Sequence, residues 1–360
     1  MQVLRVIPEV RSSDFERSRP SHGRLVLFVS RYFDLDDRSV WPTARQVRLS
    51  LAWLWSFRRR WQVVELPEPL WLRALPLTVS VGLAVRLSDL VLRRRTRIVT
   101  YAMENNDPEV LLRGIPARLH GTIFGLIRWL GEIIFDRIAF ASTAAGECYA
   151  KAGVLPERCV TSLFEDLPEM CVGERSVDKT RQMTFVGALE LRKGLPELLA
   201  AWRDAGLGAV GWELAVAGAG PYSEDVARAR AADPSIVALG RIGRREVHEL
   251  MARTAVLVLA SRREGRWREQ IGLPITEGLA HGCHVIATPD TGLSGWLRQH
   301  GHSVLPEDFT VADLRRALQV AAQTRLDPKA IRESLPSVGG RLAAEDWMCG
   351  SDEADTGREV

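Results

Sequence analysis

Glu269-Gln-Ile-Gly-Leu-Pro-Ile-Thr-Glu277, with Gly278-Leu-Ala-His-Gly-Cys-His-Val-Ile-Ala-Thr288 behind it, sets two carboxylates eight residues apart. Gly permits an unusual loop backbone and Pro suits a helix start, so Gly272-Leu273-Pro274 predicts a helix whose first turn carries Glu277. Gly282 stops that helix, and Val285-Ile-Ala287 reads as a buried strand, giving the order loop, helix, strand. First-turn N–H groups lack intrahelical partners and lie at the positive end of the helix dipole, so Gly272 to Ile275 make a ready anion site. A phosphate held there would have Glu269 and Glu277 on either side to grip hydroxyls. On spacing alone, two glutamates so placed are more often solvated carboxylates, and the surroundings decide between the readings.

Those surroundings alternate strictly. Strands at 183–188, 212–218, 236–240 and 255–260 are separated by helices at 193–205, 223–232 and 246–253, and a helix at 310–322 closes the series. This pattern predicts a parallel sheet covered on both faces. The first half repeats it with strands at 24–30, 61–66, 97–103 and 137–143 and one ending near Phe164, and with helices at 43–57, 117–134 and 144–152. The strand 97–103 runs into Glu104-Asn-Asn-Asp107, at the end where a parallel sheet presents its ligands. Residues 1–22 read as an extension or a poorly packed first strand. The apolar stretch 70–92 reads as a core or surface-lying helix, because its longest uncharged run, 74–85, is too short to cross a bilayer. Residues 165–180 suit a linker, and the polar end from about Gly350 a disordered tail. The fold class is therefore α/β, with domains at 1–170 and 171–340 and a tail at 341–360.

Bulk composition narrows the classes. At 360 residues, 46% hydrophobic and 26% charged, the chain suits two globular domains. Its five cysteines form no CxxC and no dense framework, so neither a zinc site nor a disulfide scaffold is indicated, and a reducing cytoplasm fits. No charged and apolar leader opens the chain. The net charge of +3 conceals an asymmetry, since residues 1–100 hold 18 basic against 9 acidic side chains and residues 176–360 hold 23 against 25. Of the 48 basic residues only four are lysines: 151, 179, 193 and 329.

A second constellation is Arg192-Lys193-Gly194, between a strand and a helix. Two cations there can neutralise charge growing on a departing diphosphate, although a bare Arg-Lys pair is usually a solvated turn. The segment Phe185-Val-Gly-Ala-Leu-Glu-Leu-Arg-Lys-Gly194 and the Glu269 to Thr288 stretch together resemble the retaining, group 1 family of glycosyltransferases, with its F-x-G-x-L-x-x-R-K-G and E-x7-E signatures. The resemblance covers about 183–325 and, in the first half, strand order only. It implies two Rossmann-like domains facing each other across a cleft (GT-B), with Arg192 and Lys193 on the donor's phosphates, Glu269 on the sugar and Glu277 on the ribose. Gly218-Ala-Gly220 matches the family's V-A-G-x-G-P beside the nucleotide, and Gly240-Arg241-Ile242 its G-x-V near the base; either is equally well mere fold punctuation. Ala188 departs from the family, many of whose members have Arg there, so Arg192 carries more of the load. Asp290-Thr-Gly292 is read as a donor contact or a turn. His281 and His284 flank Cys283 without converging as metal ligands do.

In the first half the family's Gly-rich loop and strand-end His are missing, and Arg31-Tyr-Phe33 and Glu104-Asn105 stand at the corresponding strand ends. Glu104 and Asn105 are candidates for an acceptor or sugar hydroxyl. The implied function is transfer of a glycosyl unit from a nucleotide diphosphate sugar to a glycan, lipid-linked or small-molecule acceptor, in the manner of cell-envelope polysaccharide enzymes. No metal or other cofactor and no nucleic acid is implied. The rivals are a catalytically silent nucleotide-sugar binding protein and a sugar-nucleotide epimerase. Finally, Trp41, Trp53, Trp55, Trp61 and Trp71 beside Arg58-Arg-Arg60 and Arg93-Arg-Arg95 suit either a core with an arginine surface or an anionic membrane face, so a cytoplasmic, peripheral location is expected.

Overall fold

All pairings between strands are parallel in the computed structural model, which describes residues 1–11, 13–16, 23–31, 44–58, 60–170 and 179–350. The chain divides into two units, one of Met1–Glu165 with Gly340–Val360, the other of Asp166–Gly339. The loop from Tyr32 to Arg38, Trp41, Cys171 and the tail from Ser351 lie outside the described residues.

The first unit holds β1 (Gln2–Val10), β2 (Gly23–Arg31), β3 (Ala44–Gln46), β4 (Val63–Glu65), β5 (Arg97–Ala102), β6 (Arg137–Phe140) and β7 (Val160–Leu163), in the sheet order β3-β2-β1-β4-β5-β6-β7. Of the two readings of the N-terminus, extension or poorly packed first strand, the strand is found, and the correction lies in its packing: β1 lies inside the sheet, paired with both β2 and β4. Its charges had hidden it, yet Arg5 is buried and ion-paired with Asp14 at 3.0 Å and Glu65 at 3.3 Å. Arg31 consequently ends the second strand, not the first. The helix expected at 43–57 is instead β3, a 3-10 turn at Leu49–Leu54 and a short helix Trp55–Arg58. Only Ala52 of that 3-10 turn is buried, so no continuous apolar face exists there to hold a longer helix.

The stretch 70–92 forms the helix Leu75–Leu92, which by length and composition alone is long enough to span a membrane, against the sequence-based reading. Its packing is that of a half-buried helix, with Leu77, Val81, Gly82, Ala84 and Val85 in the core. A Cβ on Gly82 would meet Ile134 Cγ2 at 2.6 Å, which is how closely the neighbouring helix His120–Ile134 approaches.

The tail expected at 341–360 also needs correction over its first part. Gly340–Cys349 is a helix of the first unit, and the charged residues that made it look like a tail are what bury it. Arg341 pairs with Glu65 on β4, and Glu345 pairs with Arg24 on β2, all four being buried. Burial by itself would raise the Glu65 carboxyl, but the guanidinium groups of Arg341, Arg5 and Arg24 outweigh it and hold the group below the ordinary carboxylate range.

The second unit holds β8 (Gln182–Val186), β9 (Glu213–Ala217), β10 (Ile236–Gly240), β11 (Val256–Leu259), β12 (His284–Ala287) and β13 (Ser303–Val304), in the order β10-β9-β8-β11-β12-β13. The strands are nearly continuous apolar runs, as burial on both faces requires, and Val256 to Leu259 are each at most 1% exposed. Helices at Ser294–Gln299 and Pro328–Glu333 had no prediction, being short. The two ends of this unit meet, since Met170 N–H donates to the Pro336 carbonyl at 2.9 Å.

Removing one member of a buried ion cluster leaves the others uncompensated. Glu65→Gln is expected to lower the stability of the first unit by roughly 3–5 kcal/mol, read as a lower urea midpoint at unchanged slope. An unchanged midpoint would show that the arginines find other partners.

Candidate functional site

In the second unit the sheet changes direction between β8 and β11, and ligands of open parallel sheets bind at the strands' carboxyl ends beside such a point. The two motifs singled out in sequence sit there together. After β8 the chain makes a 3-10 turn, Leu191–Lys193, then Gly194 at φ 69° opens the helix Leu195–Ala205. A Cβ on Gly194 would lie 2.1 Å from the Ala260 carbonyl oxygen, so only glycine lets this turn press against the end of β11. Arg262 N–H donates to the Arg192 carbonyl at 2.8 Å and fastens the two loops.

The result is an ion pair between Lys193 Nζ and Glu269, both side chains 13% exposed. Ser261 Oγ donates to the same Glu269 oxygen at 2.9 Å. Arg192 and Lys193 both stand over the Trp267 ring, at 4.1 and 4.7 Å from its centroid, and Arg192 also pairs with Glu190. Trp267 reaches that place through a tight turn in which Glu264 and Trp267 exchange backbone hydrogen bonds. It had escaped the sequence analysis, as nothing in its spacing marks it.

The helix opened by Gly272 runs Leu273–Ala280, with Gly272 at φ 83°. The anion site is narrower than expected. Pro274 has no N–H, and Ile275 N–H donates to the Gly272 carbonyl at 2.8 Å, which leaves Gly272 and Leu273 as the donors of that stretch. Glu277, in the first turns, accepts from Arg244 at 2.7 Å. Arg244 begins the helix Arg244–Arg253 and was another residue without a sequence signal, being one more arginine in an arginine-rich helix start.

The remaining second-unit candidates support this centre. A Cβ on Gly218 would sit 1.8 Å from the Gly187 carbonyl oxygen, and one on Gly220 2.5 Å from that of Leu189, so both glycines are required where the loops after β8 and β9 cross. Ile242 packs with Ala215, Ala217 and Leu250, whereas Arg241 is exposed. Asp290 is occupied by Arg263 at 2.6 Å and Arg268 at 3.3 Å, while Thr291 Oγ1 and Gly292 N–H hold the Ile271 and Gln270 carbonyls. This turn therefore braces the glutamate loop. His281 contacts His248 at 3.0 Å and His284 contacts Ser303 at 3.0 Å, so the two diverge.

In the first unit Glu104 and Asn105 follow β5 as expected and are buried, not solvated. Glu104 accepts from the Asn106 backbone at 3.0 Å and its side-chain amide at 2.8 Å. Behind them lies Glu68, missed in the sequence because it is a lone glutamate between prolines. Its carboxylate accepts from Met103 N–H at 3.0 Å, Glu104 N–H at 3.0 Å and Tyr149 Oη at 2.9 Å, and so holds the loop that presents Glu104. Burial, and then the neighbouring Glu104 charge, raise its pKa to about 7 against those hydrogen bonds.

Two α/β units with parallel sheets, the second with cations and a helix start gathered at its switch point, define the GT-B fold class. Residues 180–323 match the family described as glycosyl transferases group 1, in agreement with the resemblance stated from the sequence. No curated protein matches the chain. Among solved structures it is similar to Anabaena HepE in complex with UDP, at 12% identity and a TM-score of 0.63 over 97% of this chain and 95% of that one. It is similar to WaaG, a glycosyltransferase involved in lipopolysaccharide biosynthesis, at 14% identity and 0.60 over 97% and 100%. Sucrose-phosphate synthase from Thermosynechococcus elongatus gives 14% identity and 0.58 over 97% and 96%.

The folded Glu68 carboxyl is harder to ionise than the unfolded one, so the folded chain binds this proton more tightly between pH 4.5 and about 7. Its contribution is therefore most favourable at the acid end and declines as pH rises through that window, by roughly 3 kcal/mol. Glu68→Gln should remove this slope, gaining on the wild type at pH 8 relative to pH 5 in urea unfolding. Parallel stability profiles for the two proteins would contradict the assignment.

Proposed function

We propose that this protein transfers a glycosyl unit from a nucleoside diphosphate sugar to an acceptor hydroxyl with retention at the anomeric carbon. The observation that carries the reading is the convergence of Lys193, Arg192, Glu269 and the Gly272–Leu273 helix start at one sheet switch point, within a group 1 glycosyl transferase match. The solved relative HepE is seen with UDP and with UDP-glucose, which makes a uridine diphosphate sugar the first donor to try. WaaG's place in lipopolysaccharide biosynthesis supports a cell-envelope glycan or lipid-linked acceptor.

In this reading the diphosphate is met by Arg192, Lys193 and the N–H groups of Gly272 and Leu273, while Gly218, Gly220, Arg241 and Ile242 border the nucleoside. Glu277 takes the ribose, and Glu269 the sugar. Without donor, Glu269 neutralises Lys193; an arriving diphosphate competes for the ammonium and frees the carboxylate for the sugar hydroxyls. The bond from the anomeric carbon to the diphosphate oxygen breaks as the acceptor oxygen bonds to that carbon on the same face. The leaving phosphate oxygen takes the acceptor's proton. Lys193, Arg192 and the helix dipole then supply the positive charge, with no metal needed for it. Glu104 and Asn105 are the acceptor-side candidates. The protein works in the cytoplasm, attached peripherally to a membrane.

Donor turnover tests the class: a transferase consumes UDP-sugar only with an acceptor, an epimerase without one, and a silent binder not at all. Lys193→Ala is expected to lower kcat by about 10²-fold or more, with a smaller change in KM; an unchanged kcat removes Lys193 from the chemistry. Glu277→Ala should weaken UDP binding in calorimetry, whereas Glu269→Ala should leave it intact or tighten it, because a competitor for Lys193 has gone. Equal losses in both variants would refute the division of roles.

A further inference from the structure

Trp267 carries no group that breaks or makes a bond in the transfer, yet its half-buried ring touches both cations of the donor site. The loop that holds it is fixed at both ends. On one side Arg262 pairs with Glu197 at 3.1 Å and donates to the Phe309 carbonyl at 2.7 Å. On the other, Arg268 lies 3.3 Å from the Asp290 carboxylate and donates to the Pro289 carbonyl at 3.3 Å. Between these anchors the tip, residues 264–267, is closed on itself: Trp267 N–H donates to the Glu264 carbonyl at 2.8 Å and Glu264 N–H to that of Trp267 at 3.1 Å. Gly265, at φ 61°, makes so tight a turn possible. The ring is thereby carried on a short, pinned segment.

Each cation has two partners. Arg192 Cζ stands 4.1 Å and Lys193 Nζ 4.7 Å from the ring centroid, and each also has a carboxylate, Glu190 for Arg192 and Glu269 for Lys193. An incoming diphosphate competes with both carboxylates for the same positive charge, so these two contacts weaken as the ligand arrives. An uncharged ring is not repelled by that ligand. The negative face of the indole is therefore the partner that both cations keep throughout. A guanidinium seated on an aromatic face also presents its N–H donors at the edge, where planar, bidentate recognition of phosphate oxygens takes place. Among the described residues the Nη1 and Nη2 groups of Arg192 make no hydrogen bond, which leaves that edge for a ligand.

We propose that Trp267 is a positioning residue of the transfer reaction, holding Arg192 and Lys193 against its face so that both stay aimed at the diphosphate once Glu190 and Glu269 have released them. The inference rests on the glycosyl-transfer reading above and adds a residue that acts only through the two cations. Without the ring, neighbouring cations that have lost their carboxylates repel each other and turn to solvent. Charge growing on the departing diphosphate is then met by groups that must first be brought back into place.

Two variants of the full chain separate the aromatic face from mere bulk: Trp267→Phe keeps a face, and Trp267→Leu keeps an apolar side chain without one. UDP binding is followed by calorimetry, and turnover as release of UDP from UDP-glucose with water as the acceptor. Trp267→Leu is expected to lower kcat about tenfold with a smaller change in KM, and Trp267→Phe to stay within about threefold of wild type. UDP affinity should fall in the same order, and it decides the matter alone where release is too slow to follow. Urea midpoints without ligand should coincide for all three proteins, because the tip lies outside the core. Wild-type kinetics and UDP affinity in Trp267→Leu overturn the positioning role and leave the transferase standing. Equal losses in the Phe and Leu variants overturn it too, since the indole then acts by something other than its face. Wild type that binds no UDP overturns the transfer reading and this role with it.

Discussion

The pairing of Lys193 with Glu269 is the contact around which the second unit is arranged. To bring those charges together, the loop after β8 has to touch the end of β11, and only a residue without a side chain permits it; Gly194 is that residue. The other side of the pair is set by a ladder of supports: Ser261 on Glu269, Thr288 on the Ser261 carbonyl, and the Thr291-Gly292 turn on the residues between Glu269 and Gly272. Each support is a hydrogen bond of ordinary strength, and their joint effect is that neither charge has to be positioned when a ligand arrives. Preorganised groups act on developing charge without further rearrangement, which is the property a transfer reaction uses.

The first unit solves a different problem with the same means. Its interior holds Arg5, Arg24, Arg341, Glu65 and Glu345, and charges so far from water are tolerable only when matched. Glu68 is the exception. Burial and then the neighbouring Glu104 carboxylate both disfavour its charge, and its three hydrogen bonds only partly oppose them. The poorly compensated group sits beside the loop of the acceptor-side candidates Glu104 and Asn105, and residues kept at such cost are frequent where a protein meets its ligands.

The second unit was legible because its signals are short-range: glycines where backbones collide, a proline at a helix start, cations in a tight turn. Strands β8 to β12 could be placed from continuous apolar runs. The first unit was less so. β1 reads ambiguously because Arg5 and Glu9 break its apolar run, and the charge at Arg5 is matched by Asp14 and by Glu65, sixty residues on, only once the chain has folded. The helix Gly340–Cys349 was misread for the same reason, since Arg341 and Glu345 look solvated until their partners on β4 and β2 are known. Trp267, Arg244 and Glu68 each gain their significance from a neighbour supplied by tertiary structure, and no local pattern announces that.

The return of the C-terminal helix to the first unit bears on the order in which the chain can be built during synthesis. The second unit is complete in sequence by Gly339, and its ends are joined through Met170 and Pro336, so it can close as soon as that length has emerged. The first unit, although begun earlier, still lacks the partners of Arg24 and part of those of Glu65 until Glu345 has been made. The half of the protein translated first is thus the half that finishes last, and its inner strands wait with unmatched charge for nearly the whole length of the chain.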